Sequence, residues 1–175
     1  IDWDFRTQRP QHVALNLAGP GRRVFYFEMA HSYNKTEVNK IDEHLYQVKL
    51  CLPHGNSVEP YVGTPSTEQI LRWIESLHEF SDLVKATGHK QIIIQHPYWW
   101  QYARHLSPEF EIIFDCMDDI SGFSNTTQAL LELEDDLLSG ADKLVVSSRH
   151  LYEKFKFRKK PVIIRNAAEI DHFST

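Results

Sequence analysis

The stretch FEIIFDCMDDISGF, residues 110–123, carries the pattern that decides the fold. It opens with an apolar run of β-forming residues, 110–114, which is typical of a buried strand. Three carboxylates follow within five residues, Asp115, Asp118 and Asp119. In open α/β sheets, ligands bind outside the carboxyl ends of the strands. Three interpretations of the carboxylates are therefore open: a metal site, an acid–base site, or the acidic start of a helix.

The rest of the chain alternates between β-rich runs and runs with helical periodicity. A Gly-Pro pair ends the first helical run, Ser66 and Gln69 form a capping-box pattern, and Asn125 and Ser148 are candidate caps of later helices. This alternation predicts an α/β fold, a Rossmann-like, doubly wound and mainly parallel sheet with helices on both faces. The predicted strands are 23–28, 44–50, 91–95, 110–115, 143–147 and 162–165, and the predicted helices start at 9, 66, 125 and 148.

Two regions fit this pattern less well. The chain opens with a loop and a helix that should follow a first strand, so we expect that strand to be missing or truncated. Residues 30–40 and 53–65 have the composition of loops.

Composition limits the class of protein. The 175 residues suit a single domain, and 42% hydrophobic with 25% charged residues is typical of a globular protein. The net charge of −5 and scattered cations argue against a nucleic-acid-binding protein. No apolar run has the length of a membrane span or the form of a signal peptide. The two cysteines and ten histidines follow no metal-binding spacing, so we expect no metal and no other cofactor.

Polar residues follow each predicted strand, and they cluster at what should be one edge of the sheet. A loop rich in donors and aromatics precedes the first helix, and His96, Tyr98 and Trp99 follow the strand at 91–95. The two aromatics fit either packing or sugar stacking. The GxGxxG and GxxxxGK[ST] patterns of dinucleotide and P-loop proteins are absent.

Several segments together resemble bacterial glycosyltransferases of the GT-B fold, family 4-like. They are WDFRTQRPQHVALNLA (3–18), RVFYFE (23–28), FDCMDDISGF (114–123), LLELEDDLLSGADKLVVSSRHLYEKF (130–155) and VIIRNAAEIDHF (162–173), in the order of that family. The last one resembles the family pattern N-G-V-D-x-x-x-F, with Ala167 and Ala168 in place of Gly-Val and Glu169 in place of Asp.

The resemblance implies that residues 1–175 are a single acceptor-side, N-terminal domain of a cytoplasmic two-domain enzyme. The whole enzyme would move a sugar from a nucleotide-diphosphate donor, bound by an absent C-terminal domain, to a glycan, lipid-linked or small acceptor. We expect the 175 residues alone to be inactive. Many family members place a functional histidine near the position of residues 118–121, where this sequence has carboxylates instead.

The resemblance also implies a set of site residues. Asp118 and Asp119 are the candidate catalytic residues, either as a base or as groups that position the acceptor. Candidate acceptor or cleft contacts are Arg6, Gln8, Arg9, Gln11, His96, Tyr98, Trp99 and Ser121, and candidate interdomain residues are Ser148, Arg149, Asn166 and Glu169.

Two other functions fit the same residues: a nucleotide-sugar epimerase of the same architecture, and a non-catalytic Rossmann-like binding module. The basic and aromatic run at residues 154–160 is either a solvated helix end or a peripheral contact with anionic lipids at the inner face of a membrane.

Overall fold

The computed structural model describes residues 2–28, 32, 34–51, 65–85, 87–106 and 108–166. These residues divide into two compact units, one of residues 1–90 and 98–110 and the other of residues 91–97 and 111–175. Each unit contains its own hydrogen-bonded sheet.

The first unit has a three-stranded sheet with the order β1-β3-β2. β3 pairs parallel with β1 and antiparallel with β2. Helix α2 packs on this sheet through Phe80, whose ring contacts Phe25 and Phe27 at centroid distances of 5.0 and 5.4 Å. The elements of this unit are α1 (Arg9–Leu17), β1 (Val24–Phe27), β2 (Glu37–Asp42), β3 (Leu45–Lys49), α2 (Thr67–Leu83) and α3 (Trp100–Ala103).

The second unit has a four-stranded, all-parallel sheet with the order β4-β5-β6-β7. Its core is mainly apolar. Phe114, Leu144 and Val146 on the strands and Leu137 and Phe155 on the helices are at most 2% exposed. The elements of this unit are β4 (Lys90–Ile94), β5 (Phe110–Cys116), α4 (Gln128–Gly140), β6 (Lys143–Val146), α5 (Arg149–Phe155) and β7 (Pro161–Ile163).

The α/β class and the parallel pairing predicted from the sequence are confirmed. Near-continuous apolar strands such as β5 occur where helices cover a parallel sheet, because both faces of the strand are then buried. Ser66 accepts a hydrogen bond from the Gln69 amide and completes the predicted capping box of α2. Ser148 caps α5 as predicted.

Three details of the prediction were wrong. Part of the segment taken as a loop forms β2, an exposed strand whose pattern has no apolar alternation to reveal it. Helix α4 is capped by Thr127 and not by Asn125, because the Thr127 hydroxyl accepts the Leu130 amide. Part of the loop expected at residues 96–100 forms a 3-10 turn, Pro97–Trp99, that continues into α3.

The strands fall into two hydrogen-bonded sheets among the described residues, whereas the sequence suggested one. Residues 2–8, ahead of α1, form turns and irregular backbone and no strand. None of the helices within the described residues has the length and apolarity needed to cross a membrane.

Candidate functional site

A cluster of charged side chains surrounds Asp119 just beyond the carboxyl end of β5. The Asp119 carboxylate accepts hydrogen bonds from Lys154 Nζ at 2.6 Å and from the Ser121 amide and hydroxyl at 3.2 and 2.5 Å. The His150 Nε2 atom lies 3.2 Å from the other carboxylate oxygen. Because His150 and Lys154 lie on α5, the cluster joins the loop after β5 to the helix after β6. We call Asp119, Ser121, His150 and Lys154 the Asp119 cluster.

The local fold explains why these groups meet. Asp119 caps the short 3-10 helix Ile120–Gly122, which follows β5. β5 and β6 are parallel neighbours, with Cys116 opposite Val146, so the segments that follow them leave the sheet at the same edge. The Ser147 hydroxyl fastens these two ends by donating to the Met117 carbonyl at 2.5 Å.

The Asp119 cluster fixes the charge of its central carboxylate. Hydrogen bonds from Lys154 and from Ser121 hold the pKa of Asp119 far below its usual range. A carboxylate of such low basicity is a poor proton acceptor near neutral pH. Its geometry suits another task, which is to hold the His150 imidazole and the Lys154 ammonium in place.

Lys154 also links the Asp119 cluster to a buried carboxyl group. Glu134 on α4 is 4% exposed, and its Oε2 atom lies 3.8 Å from Lys154 Nζ. Burial raises the pKa of Glu134, because a carboxylate loses its hydration there.

The other carboxylates of the opening stretch have different surroundings. Asp118 is exposed, and its backbone carbonyl faces the Cys116 thiol at 3.5 Å. Asp115 is 3% exposed within the sheet, and its carboxylate accepts a hydrogen bond from Gln95 at 2.8 Å. Asp115 is therefore part of the interior of the sheet, and Asp118 and Asp119 lie at its carboxyl edge.

Three of the predicted interdomain residues, Ser148, Arg149 and Asn166, follow β6 and β7 at the same edge of the four-stranded sheet. The Ser148 hydroxyl accepts the Leu151 amide as the cap of α5, so it has a structural role. Arg149 is exposed and pairs with Glu153 at 2.5 Å. Asn166 is exposed after β7, and Glu169 lies outside the described residues.

The candidate contacts around α1 belong to the other unit. Gln11 is 1% exposed, and its side chain accepts the Gln8 amide at 3.0 Å and donates to the Arg6 carbonyl at 3.2 Å. Gln8 and Gln11 thus form a capping arrangement at the start of α1, which supports a structural role for Gln11. Arg6 is exposed and its guanidinium lies 5.5 Å from the Phe5 ring centroid, and Arg9 is the first residue of α1.

The candidates after β4 are His96, Tyr98 and Trp99, and their surroundings favour structural roles. Burial lowers the pKa of His96 to about 4, so its imidazole is neutral at physiological pH. The Tyr98 hydroxyl lies 3.2 Å from that of Tyr102, and Trp99 packs at 6.3 Å from the Trp73 ring centroid. These contacts favour packing over sugar stacking for both aromatics.

Three residues of the site region were not among the sequence-based candidates: His150, Lys154 and Glu134. His150 follows a strand, which is a signal available in the sequence. That it and Lys154, four residues later on α5, contact the same carboxylate can be seen only in the structure. Glu134 lies on a helix stripe among leucines, where its burial has no signal in the sequence. Within the described part of the chain, no group of three or more His, Cys, Asp or Glu side chains could hold a metal ion.

Two solved structures share the fold of this chain. Both are sucrose-phosphate synthase chains from Thermosynechococcus elongatus, each 15% identical in sequence. The first has a TM-score of 0.58 and covers 93% of this chain and 86% of that one. The second has a TM-score of 0.57 and covers 86% of this chain, which spans only 40% of that structure. At this identity the likeness establishes the fold.

No protein-family profile matches the sequence, and no curated protein matches it.

Proposed function

We propose that this chain is the acceptor-side domain of a glycosyltransferase. A second domain would hold a nucleotide-diphosphate sugar, and this domain would present the acceptor hydroxyl to it. The observation that carries the proposal is the Asp119 cluster, placed at the carboxyl edge of a parallel sheet whose fold is shared with two sucrose-phosphate synthase chains. The family 4-like motifs of the sequence support the same function.

In this proposal the His150 imidazole receives the proton of the acceptor hydroxyl, and Asp119 orients the imidazole. Sugar transfer forms a bond between the acceptor oxygen and the sugar carbon, breaks the bond from that carbon to the nucleotide diphosphate, and releases the acceptor proton. An imidazole is the side chain that most often serves as a general base, so it is a suitable group to receive that proton. His150 is exposed and bound to Asp119 through Nε2, and among the described residues no hydrogen-bond partner engages its Nδ1 atom.

Asp118 and Lys154 complete the proposed roles. The exposed Asp118 carboxylate is free of the Lys154 ion pair and would accept a hydrogen bond from the acceptor. Lys154 keeps Asp119 ionised, and an ionised Asp119 favours the protonated imidazole that forms during transfer. The proposal involves no metal ion.

The test is a transfer assay with the full-length gene product. It is incubated with radiolabelled nucleotide-diphosphate sugars, with and without a panel of glycan, lipid-linked and small acceptors. We expect label to enter an acceptor, and we expect H150Q to lower kcat/KM by about 10²- to 10⁴-fold, the usual contribution of a general base. D118N should lower it less.

The matched control is D82N, an exposed carboxylate on α2 in the other unit, which should leave kcat/KM unchanged. Conversion of the nucleotide-sugar without an acceptor would contradict the proposal in favour of an epimerase. An absence of turnover with every donor would favour a binding module. Wild-type rates from both H150Q and D118N would remove these residues from the mechanism.

A further inference from the structure

The Asp119 cluster joins two segments that are far apart in the sequence. One is the segment between β5 and α4, and the other runs from the end of β6 through α5. In the described structure, side-chain hydrogen bonds or ion pairs link these two segments at three places. Two are the contacts of Asp119 with His150 and Lys154, and the third is the bond from the Ser147 hydroxyl to the Met117 carbonyl.

The contacts of Asp119 by themselves are weak links between the segments. The His150 side chain is 74% exposed, and those of Lys154 and Asp119 are 28% and 27% exposed. Ion pairs between exposed side chains contribute little, because holding two side chains in one geometry costs conformational entropy and water screens their charges. The position of Asp119 relative to His150 therefore depends on how the backbone segments that carry them are held.

Ser147 holds these backbone segments together where the strand pairing ends. Cys116 is the last residue of β5 that pairs with β6. The Ser147 amide donates to the Cys116 carbonyl at 3.2 Å, and the Ser147 hydroxyl reaches one residue further, to the Met117 carbonyl at 2.5 Å. Met117 precedes Asp119 by two residues, and Ser147 precedes His150 by three. One side chain thus ties the starting points of both segments.

A second hydroxyl braces the segment after β5 without linking it to α5. The Thr126 hydroxyl donates to the Ile120 carbonyl at 2.6 Å, and both residues belong to that segment. This bond helps to fix the shape of the segment, whereas the Ser147 bond fixes its position relative to α5. The two hydroxyls therefore have different tasks, and only that of Ser147 bears on how Asp119 meets His150.

We propose that Ser147 is a positioning residue of the transfer reaction, because its bond to the Met117 carbonyl sets where the Asp119 carboxylate meets the His150 imidazole. The inference rests on the proposed function and adds to it a residue that acts through His150. A reacting group that is misplaced by about 1 Å can lose about 10²-fold in rate. Loss of the Ser147 hydroxyl should therefore slow transfer and leave the binding of the acceptor unchanged.

The first measurement follows the His150 imidazole by NMR in the full-length gene product, labelled with ¹⁵N-histidine and kept at one pH. Its nitrogen signals are assigned by their absence from H150Q. We expect S147A to shift the Nε2 signal toward its position in D119N, where the imidazole faces an amide instead of a carboxylate. S147T keeps a hydroxyl and should retain the wild-type signal.

The second measurement is steady-state sugar transfer by the same variants. S147A should lower kcat by about 10- to 100-fold and change KM by less than about twofold, because it displaces a reacting group and removes no contact with the acceptor. S147T should recover most of the rate. In the H150Q background S147A should cause no further loss, because its effect passes through the imidazole.

The matched control is S76A, which removes a bond of the same kind in the other unit. The Ser76 hydroxyl on α2 donates to the Cys51 carbonyl at 2.7 Å, across 25 positions of the sequence. S76A and S147A should cost similar stability, since each loses one bond from a hydroxyl to a carbonyl. S76A should nevertheless leave the His150 signals and kcat unchanged, which separates positioning from a general loss of stability.

Three results would overturn the inference. One is a wild-type His150 signal in S147A, another is an equal effect of S76A, and the third is a loss of rate from S147A that persists in full in the H150Q background. If the wild-type gene product transfers no sugar, the proposed function fails. The His150 signals still show in that case whether Ser147 holds Asp119 against the imidazole.

Discussion

At the scale of the single residue, Asp119 shows how a neighbour changes the chemistry of a carboxylate. In the sequence it is one of three acidic residues in a short stretch. In the structure it is held by Lys154, Ser121 and His150, whereas Asp118 is exposed and Asp115 is buried in the sheet. Acidic residues of similar appearance therefore have three different surroundings, because contacts with α5 distinguish Asp119 and burial in the sheet distinguishes Asp115.

The Asp119 ion pair should contribute to stability in a pH-dependent way. Its pKa is lower in the folded state than in the unfolded state, so its contribution is fully present above the ordinary aspartate pKa of about 3.9 and is lost as the pH falls through the lower folded value. We expect D119N to reduce the free energy of unfolding at pH 7 by about 1–3 kcal/mol, because it removes a hydrogen bond to a charged group. Below about pH 4 the difference from wild type should shrink. Urea denaturation at pH 7, 5 and 3.5 measures both values.

The comparison variant for this prediction is D82N, an exposed carboxylate on α2 that lies outside the Asp119 cluster. It should change the free energy of unfolding by no more than about 0.5 kcal/mol. A destabilisation by D119N that is equal at all three pH values would mean that the ion pair is not its source.

At the scale of the element, two residues near the start of α4 look like equivalent helix caps in the sequence, but only one of them caps the helix. Asn125 followed by Gln128 fits a capping pattern, but the hydroxyl of Thr127 accepts the Leu130 amide at 3.3 Å. We expect T127A to lower the free energy of unfolding by about 1 kcal/mol, the usual value of a lost cap. N125A should change it by less than about 0.5 kcal/mol, because Asn125 is exposed and does not cap the helix. Thermal and urea unfolding of both variants measures this, and the reverse order would contradict the assignment.

The basic run at residues 154–160 carries less free positive charge than its sequence suggests. Lys154 pairs with Asp119, Lys156 with Glu153 and Arg158 with Asp135. Phe157 is 88% exposed. The proposed contact with anionic lipids therefore depends mainly on this ring and on the few remaining cations.

Vesicle binding tests that contact. We expect weak association of the chain with phosphatidylserine vesicles at low salt, lost as the salt concentration rises, because screening removes the electrostatic part of the attraction. F157S should weaken it further, since it removes the exposed ring. Sedimentation with vesicles, with phosphatidylcholine vesicles as the control, measures this. No sedimentation at low salt would exclude a membrane role for the segment.

At the scale of the whole molecule, the elements with strong local signals were predicted well. β5 is buried or half-buried throughout, β6 is so after Lys143, and both read as nearly continuous apolar runs. The Ser66 capping box marked the start of α2. β2 was missed because most of its residues are exposed and no apolar alternation marks it.

The candidate site was predictable only in part. The carboxyl edge follows from the predicted ends of the strands, which drew attention to Asp119, whereas Ser121 was a candidate through the family resemblance. His150 and Lys154 lie more than 30 positions further along the chain, and their meeting with Asp119 depends on the pairing of β5 with β6. The burial of Gln11 under the turn before α1 likewise depends on local packing that no spacing rule expresses.

The whole-molecule prediction concerns activity. We expect the 175 residues alone to transfer no sugar, because the proposed function assigns the nucleotide-sugar to another domain. The radiolabelled transfer assay measures this directly, with the full-length gene product as the positive control. Turnover by the 175 residues would contradict the proposal that another domain binds the nucleotide-sugar.

The last strand of the four-stranded sheet has a consequence for solution behaviour. β7 pairs with β6 on one side and is the outermost strand of the sheet among the described residues, with Val162 58% exposed and Ile164 51% exposed. An open strand edge is a template on which a second copy of a chain can add, and short strands that carry proline limit this growth. β7 has three residues and begins with Pro161. Concentrated samples should therefore resist fibre formation through this edge, and a longer β7 without its proline would lose that protection.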